Sequence, residues 1–364
     1  MTVPAGLDFV VNKSNWKQHR FDDAPVSDLA DGQVLFRVDR FAFTANNITY
    51  AVAGDSLRYW DFFPALEGWG RLPTMGYADV VESKHPEVAV GTRCFGFYPM
   101  SRYLVVEPSA VSEVGITDGA SHREGIAPFY AQYTPTAGDA LYHAEHEDTL
   151  MLMRGLFMTS FLADDFIADR NFGEQVVLIS SASSKTSIAL AHCLSSRGQA
   201  GAIGITSPRN YEFVRNLGCY GQVVTYDEVR SLDSTPSAVY VDMAGSSALQ
   251  RDIHEHFGDQ LKHSCSIGAT HWEERAPSDE PLPGPRPEFF FAPGQGQKRA
   301  TEWGAAELQR RLGASWAGFR SFSEGWLTVK RGVGTQDVVR VYEETLAGRT
   351  EPHHGHILTL WDES

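Results

Sequence analysis

Four cysteines, Cys94, Cys193, Cys219 and Cys265, are all that the 364 residues contain. None lies within four residues of another, so the chain has no Cys-x-x-Cys pair of the kind that holds zinc. Nothing reads as a disulfide framework, and a reducing compartment is the simpler reading. Positive charge is also scarce: 31 Lys and Arg face 46 Asp and Glu, a formal net charge of −15. That balance argues against nonspecific nucleic-acid binding, which needs a basic stripe, and weakly against anionic membrane surfaces. No stretch approaches the roughly 20 apolar residues of a membrane helix. The opening MTVPAGLDFVVNKSNW lacks the apolar run of a signal peptide. These absences predict a soluble, cytoplasmic protein. The 42% hydrophobic content is ordinary globular material, and the length suggests two domains with an ample core.

The front of the chain reads as short strands. Gly32–Thr44 alternates around Val34, Phe36, Val38 and Phe41, the period of a half-buried strand. Met75–Ser83, Val90–Tyr98 and Arg102–Pro108 look similar, which suggests a small β-rich domain. Residues 116–148 are rich in turn formers, His and Tyr, and read as a long loop or insertion. From Thr149 the texture changes. Phe157 with Phe161 and Leu162 with Phe166 mark a helical stripe, and Asp164, Asp165 and Asp169 take its wetter side. Glu174–Ser180 is a continuous apolar strand, as in a parallel sheet covered on both faces. A helix then runs to Gly198, a strand spans Ala202–Thr206, and a helix capped by Asn210 follows. VVTY, SAVYVDM and SCSIGAT supply further strands, so the middle of the chain is α/β with a parallel sheet. A proline-rich surface loop spans Arg275–Pro287, and Phe289–Ala292 reads as a last apolar strand of that part. Leu308 and Leu312 mark a helix, Val338–Arg349 is amphipathic, and Gly355–Leu360 closes the chain as a strand.

The segment from Gln175 to Leu194 carries the most information. A short loop that follows a buried strand and opens a helix offers free backbone N–H groups and the positive end of the helix dipole, which suits a phosphate. Dinucleotide folds usually place three spaced glycines there. Here the register reads Ser181-x-x-Ser184-x-x-Ser187. Serine donates to phosphate oxygens, but its Cβ limits approach and disfavours positive φ. Lys185 adds a charge that partly compensates. A plain strand-to-helix turn with capping serines is the simpler alternative. The next strand ends Thr206-Ser207-Pro208-Arg209-Asn210, with no carboxylate to hold a ribose 2′-hydroxyl. A hydroxyl and a guanidinium there suit a 2′-phosphate, so the cofactor reading is NADP(H) over NAD(H).

This order of elements resembles the medium-chain dehydrogenase/reductase superfamily, most closely its zinc-free quinone-oxidoreductase and enoyl-reductase-like branch. More narrowly it is similar to a bacterial family of uncharacterised function in that branch, DUF2855, marked by a Ser-Ala-Ser-Ser-Lys-Thr loop. VVLISSASSKTSIALAHCL, YVDMAGSS, CSIGATHW and YEETLAGRTEPHHGHILTL carry the likeness. It implies an α/β protein: a GroES-like β-rich substrate domain over 1–148 and a Rossmann-type, parallel-sheet dinucleotide domain over 149–305. Residues 306–364 would return to the first domain, the active site would lie in the cleft, and a homodimer is expected. Zinc-dependent relatives hold metal with a Cys-Gly-x-Asp segment and a His-Glu pair. The matching stretch is Ala45-Asn46-Asn47-Ile48, so no metal is expected.

Carried over residue by residue, the resemblance points to Asn46 as a nicotinamide-pocket residue, with Tyr50 or Tyr59 as the acid. It matches Thr159 to a residue facing the nicotinamide, and Ser181, Ser184, Lys185, Thr186 and Ser187 to the phosphate loop. Ser207 and Arg209 match the 2′-phosphate site, and Asp242, Gly245 and Gly268 lie at strand ends beneath the cofactor. His271, at a strand's C-terminal end, is a second proton-donor candidate. The implied activity is zinc-independent, NADPH-dependent hydride transfer to an activated alkene, quinone or related carbonyl, with a small and apolar substrate. The rival reading is a non-catalytic or acyl-thioester-binding protein that has lost dinucleotide binding along with its glycines.

Overall fold

Two different hydrophobic periods build two different sheets. The computed structural model describes residues 5–170, 176–198, 201–267 and 282–362. The chain divides into two compact units, Met1–Leu152 with Leu327–Ser364, and Met153–Trp326.

In the second unit, continuous apolar runs become strands covered on both faces. Val177, Leu178 and Ile179 are wholly buried, as are Val239, Tyr240 and Val241. Six strands form one parallel sheet: Val176–Ile179, Ala202–Thr206, Gln222–Thr225, Ala238–Asp242, Leu261–Ser266 and Glu288–Phe289. Numbered in chain order within the sheet, they lie 3-2-1-4-5-6. The direction of winding therefore reverses between Val176–Ile179 and Ala238–Asp242, the place where open α/β sheets hold ligands. This is the Rossmann-type half of the expected α/β fold. Helix Lys185–Arg197 ends at Gly198 in the left-handed conformation, φ 70°.

The first unit is built on alternation. Its nine-stranded sheet runs through Val34–Phe43, Pro73–Ser83 and Arg93–Pro99, which pair antiparallel. A register shift between Val38 and Arg40 changes the parity of the long strand, which is how Val38 and Phe41, three apart, both face the core. The last strand of the chain, His354–Thr359, pairs antiparallel with Val34–Phe43 and parallel with Thr328–Val333, so the C-terminal segment completes this sheet. A helix, Glu147–Asp169, leaves this unit and enters the other. Its first carboxylate is almost fully enclosed: Glu147 takes Arg40 at 2.6 Å, Arg93 at 2.7 Å and the Tyr142 hydroxyl at 3.0 Å.

Three expectations need correction. Residues 116–148 are not one long loop. They contain the strands Gly115–Asp118 and Gln132–Pro135, which pair with each other, and the latter also pairs with Arg93–Pro99. Tyr133 is wholly buried in the core, and that burial outweighs the local abundance of turn formers. Phe289–Ala292 is not a full strand: only Glu288–Phe289 pairs, and Ala292 opens a helix with proline in its first turn. Asn210 does not cap its helix with its side chain, which reaches the serine loop instead. His271, Gly268 and most of the proline-rich loop lie outside the described residues.

Trp60, 3% exposed, is seated between two glycines. A Cβ on Gly54 would lie 2.0 Å from the indole nitrogen, and one on Gly70 would lie 2.3 Å from the ring. Gly54→Ala should therefore destabilise the first unit by about 1–3 kcal/mol through overpacking. Urea unfolding followed by tryptophan fluorescence checks this; an unchanged midpoint would refute the packing argument.

Candidate cofactor loop and phenol cluster

The serine loop begins one residue after the strand Val176–Ile179. Ser180 is wholly buried and donates its hydroxyl to the Asp242 carboxylate at 3.0 Å. The amides of Met243 and Ala244 donate to the Ser180 oxygen at 2.8 and 3.0 Å. Asp242 also accepts from the amides of Ala244 and Gly245, at 3.1 and 3.0 Å. The ends of the two strands that flank the winding reversal are thereby tied together. Asp242 has no exposed surface, so its role is to hold this turn rather than to touch a ligand. Gly245 takes a left-handed conformation, φ 69°, with open space where a Cβ would be.

Ser181 has φ 48°, a left-handed conformation that costs a serine what it would not cost a glycine. Ser184 caps the helix Lys185–Arg197 by accepting from the Ser187 amide at 3.2 Å. Ser187 is buried and donates to the Ser180 carbonyl at 3.1 Å; its hydroxyl lies 2.8 Å from that of Ser184. The third serine of the register therefore faces inward, because the helix turns it there, and it is not a phosphate contact. Lys185 and Thr186 lie half-buried in the first turn. Loss of water around the Lys185 ammonium lowers its pKa to about 8. The Thr186 carbonyl accepts from Ser160 at 2.8 Å, while Thr159 donates to Gly155 within its own helix at 3.1 Å.

Neighbouring groups brace the loop, and sequence reading missed most of them. Asn210, at the end of the next strand, donates to the Ser183 hydroxyl at 3.0 Å, beside half-buried Ser207 and exposed Arg209. The Tyr220 hydroxyl donates to the Ala182 carbonyl at 2.9 Å. Gly204 makes room for both, since a Cβ there would lie 3.0 Å from the Ala182 side chain and from the Tyr220 ring. Burial raises the Tyr226 pKa, and the Ser181 backbone opposes that rise. The only signal for these tyrosines was their place just before and just after the third strand of the sheet.

In the first unit, the stretch Thr44-Ala45-Asn46-Asn47 starts a helix, Ala45–Val52, capped reciprocally by Thr44 and Asn47. Tyr50 on this helix packs its ring 4.7 Å from that of Tyr59. Tyr130 joins them, 6.0 Å from Tyr59. Burial pushes all three phenols up. They stay protonated at neutral pH and are acids or hydrogen-bond donors, not bases. The Asn46 side chain, one turn before Tyr50 on this helix, opposes that rise for Tyr50. Tyr130 escaped the sequence because it sits in the segment read as loop; the Phe129-Tyr130 pair inside a polar stretch was the available hint. Among the described residues, no three His, Cys, Asp or Glu side chains gather to hold a metal ion. Among them also, no helix is long and apolar enough to cross a membrane.

A family profile described as "Protein of unknown function (DUF2855)" matches residues 41–351. No curated protein matches the chain. Among solved structures, CurA from Vibrio vulnificus in complex with NADPH is 10% identical, over 98% of this chain and 100% of its own, with a TM-score of 0.58. The quinone oxidoreductase from Coxiella burnetii is 12% identical over 98% and 99%, with a TM-score of 0.55. Etr1p, as a variant in complex with NADP and crotonyl-CoA, is 10% identical over 98% and 100%, with a TM-score of 0.59. The likeness is one of fold, the fold expected of medium-chain reductases.

The left-handed Ser181 makes a test of the loop's strain. Ser181→Gly should raise stability by about 0.5–1 kcal/mol, the relief of φ 48° less the entropy that glycine adds to the unfolded chain. Ser181→Val should lower it. Urea midpoints decide; a glycine variant no more stable than the parent would show that the loop is unstrained.

Proposed function

The chain belongs to the DUF2855 family, and from that premise we propose that it is a zinc-independent, NADPH-dependent oxidoreductase. It reduces an activated alkene, a quinone or a related carbonyl. The observation that carries this reading is the pairing of two cations with two strand ends in an acidic chain. Lys185 opens the helix after the first strand of the parallel sheet, and Arg209 follows the second, where no carboxylate stands. The fit to the cofactor is chemical. A half-buried ammonium held down near 8 is stabilised by an anionic phosphate, and the Ser184 and Thr186 hydroxyls flank it. Ser181, Ser184, Lys185 and Thr186 would hold the pyrophosphate, Ser207 and Arg209 the 2′-phosphate, and Thr159 would face the nicotinamide. The neighbours with bound NADPH or NADP support the cofactor, and crotonyl-CoA on Etr1p supports a conjugated acceptor.

When bound, the nicotinamide supplies hydride. The chain's own residues must polarise the acceptor and provide a proton. An acceptor that gains hydride at its β-carbon collects charge on oxygen, where Asn46 or a phenol O–H stabilises it. Tyr50 and Tyr59, kept protonated by burial, have the proton to give. One observation favours the second reading, an acyl-thioester binder without dinucleotide: the Ser184 and Ser187 hydroxyls are already engaged within the loop.

Thermal-shift titration separates the two readings. NADPH at 100 times its Kd should stabilise the protein by about 2.7 kcal/mol, and NADH at the same concentration by less. Arg209→Ala should erase the preference. No shift with either nucleotide at millimolar levels would sink the oxidoreductase reading. Lys185 adds a pH signature. Its ionisation near pH 8 in the free protein moves upward beside bound phosphate, so binding takes up a proton above pH 8. The Kd for NADPH should be flat below about pH 7 and weaken about fivefold from pH 8 to 9. Lys185→Met should bind more weakly at pH 7 and lose this dependence; an unaltered pH profile would remove Lys185 from the site.

A further inference from the structure

We propose that Ser183 is a phosphate-binding residue of the cofactor loop and that Asn210 is its positioning residue. The inference rests on the oxidoreductase reading above and names, within it, a serine that donates to the pyrophosphate. The loop hydroxyls are not equivalent. Ser184 donates to the Ser187 oxygen at 2.8 Å, and Ser187 donates to the Ser180 carbonyl at 3.1 Å. A hydroxyl has one proton to give. Both of these protons are spent inside the loop, and neither serine can donate to a phosphate without breaking that relay. Ser183 stands outside the relay. It is half-buried, and its oxygen accepts from the Asn210 side chain at 3.0 Å. Among the described residues its own proton meets no acceptor, so Ser183 supplies the donor that Ser184 cannot.

The backbone on both sides of Ser183 is fixed. Ala182 is wholly buried; its amide donates to the Ile205 carbonyl at 3.0 Å, and its carbonyl accepts from the Tyr220 hydroxyl at 2.9 Å. The Ser184 amide donates to the Ser181 carbonyl at 2.8 Å, and Ser184 caps the helix that follows. Only the Ser183 side chain is left to rotate, and Asn210 restrains it from 27 residues away. Asn210 heads the helix Tyr211–Asn216 yet makes no side-chain cap there, so a residue type suited to capping acts on the loop instead. The Asn210 N–H occupies one lone pair of the Ser183 oxygen and leaves the Ser183 O–H aimed elsewhere. At the start of a helix, the acceptor that suits this O–H is a phosphate oxygen. The turn Pro208–Asn210 also carries Arg209. The Asn210 bond therefore ties the turn that would meet the 2′-phosphate to the loop that would meet the pyrophosphate.

The test is nucleotide binding by the full chain, with NADPH and NADH titrated separately by calorimetry and no turnover involved. Ser183→Ala should weaken both nucleotides about tenfold, the loss of one hydrogen bond to a charged group. The factor should be the same for each, because both carry the pyrophosphate. Ser183→Thr keeps the hydroxyl and should bind within about threefold of wild type. Asn210→Ala should weaken both nucleotides about threefold, and should add nothing when combined with Ser183→Ala, since it acts through that hydroxyl. A Ser183→Ala protein with wild-type affinity overturns this assignment alone, as does a Ser183→Thr protein as weak as Ser183→Ala. A loss confined to NADPH overturns the placement of Ser183 at the pyrophosphate. A further loss from Asn210→Ala in the Ser183→Ala protein overturns the positioning role. Wild type that binds neither nucleotide at millimolar levels overturns the oxidoreductase reading, and this assignment with it.

Discussion

The hydrogen bond from Ser180 to Asp242 is the constraint on which the candidate cofactor site depends. It joins two strands that are neighbours in the sheet but 62 residues apart in the chain, at the point where the winding reverses. Both side chains are fully buried, so the carboxylate is stabilised only while its hydrogen bonds are made, and breaking one leaves a costly unpaired charge. The same bonds orient the turn through Gly245 and the first residues of the serine loop.

The loop itself shows how a fold adapts when its glycines are replaced. Ser181 accepts a left-handed backbone. Ser184 and Ser187 turn their hydroxyls to capping and to the Ser180 carbonyl. The close packing that loop glycines usually permit moves to the neighbouring strand, where Gly204 admits Ala182 and Tyr220. The side chains of Lys185 and Thr186 stand in the first turn of the helix that follows, and Asn210 steadies the Ser183 hydroxyl. In the reading proposed here, an anion would meet a titratable ammonium, which makes affinity depend on pH in a way that an amide cradle does not.

The first unit solves a different problem. A β-rich domain with so many aromatics needs neighbours of matching shape, and Phe62, Phe97, Tyr50, Tyr59 and Tyr130 supply them mutually in tilted and edge-on contacts. Phenols placed within such a cluster lose water and stay protonated. Proton-holding chemistry is thus a by-product of aromatic packing.

Much of this was legible in residues read one after another. Continuous apolar runs such as Val176–Ile179 and Ala238–Asp242 announced a parallel sheet, and the alternation of Val34, Phe36 and Val38 announced a one-sided strand, because strand faces follow period two. Lys185 and Arg209 were visible because local motifs sit next to their strands. What the tertiary structure alone decided was which hydroxyls face where and which distant groups meet. Ser187 turned inward, Asp242 became a tie, Asn210 left its cap for Ser183, and Tyr130 came out of an apparent loop to join Tyr50 and Tyr59. Periodicity and propensity act over a few residues, whereas these contacts join segments tens of residues apart, and only the packing of the whole sheet brings them within hydrogen-bond reach.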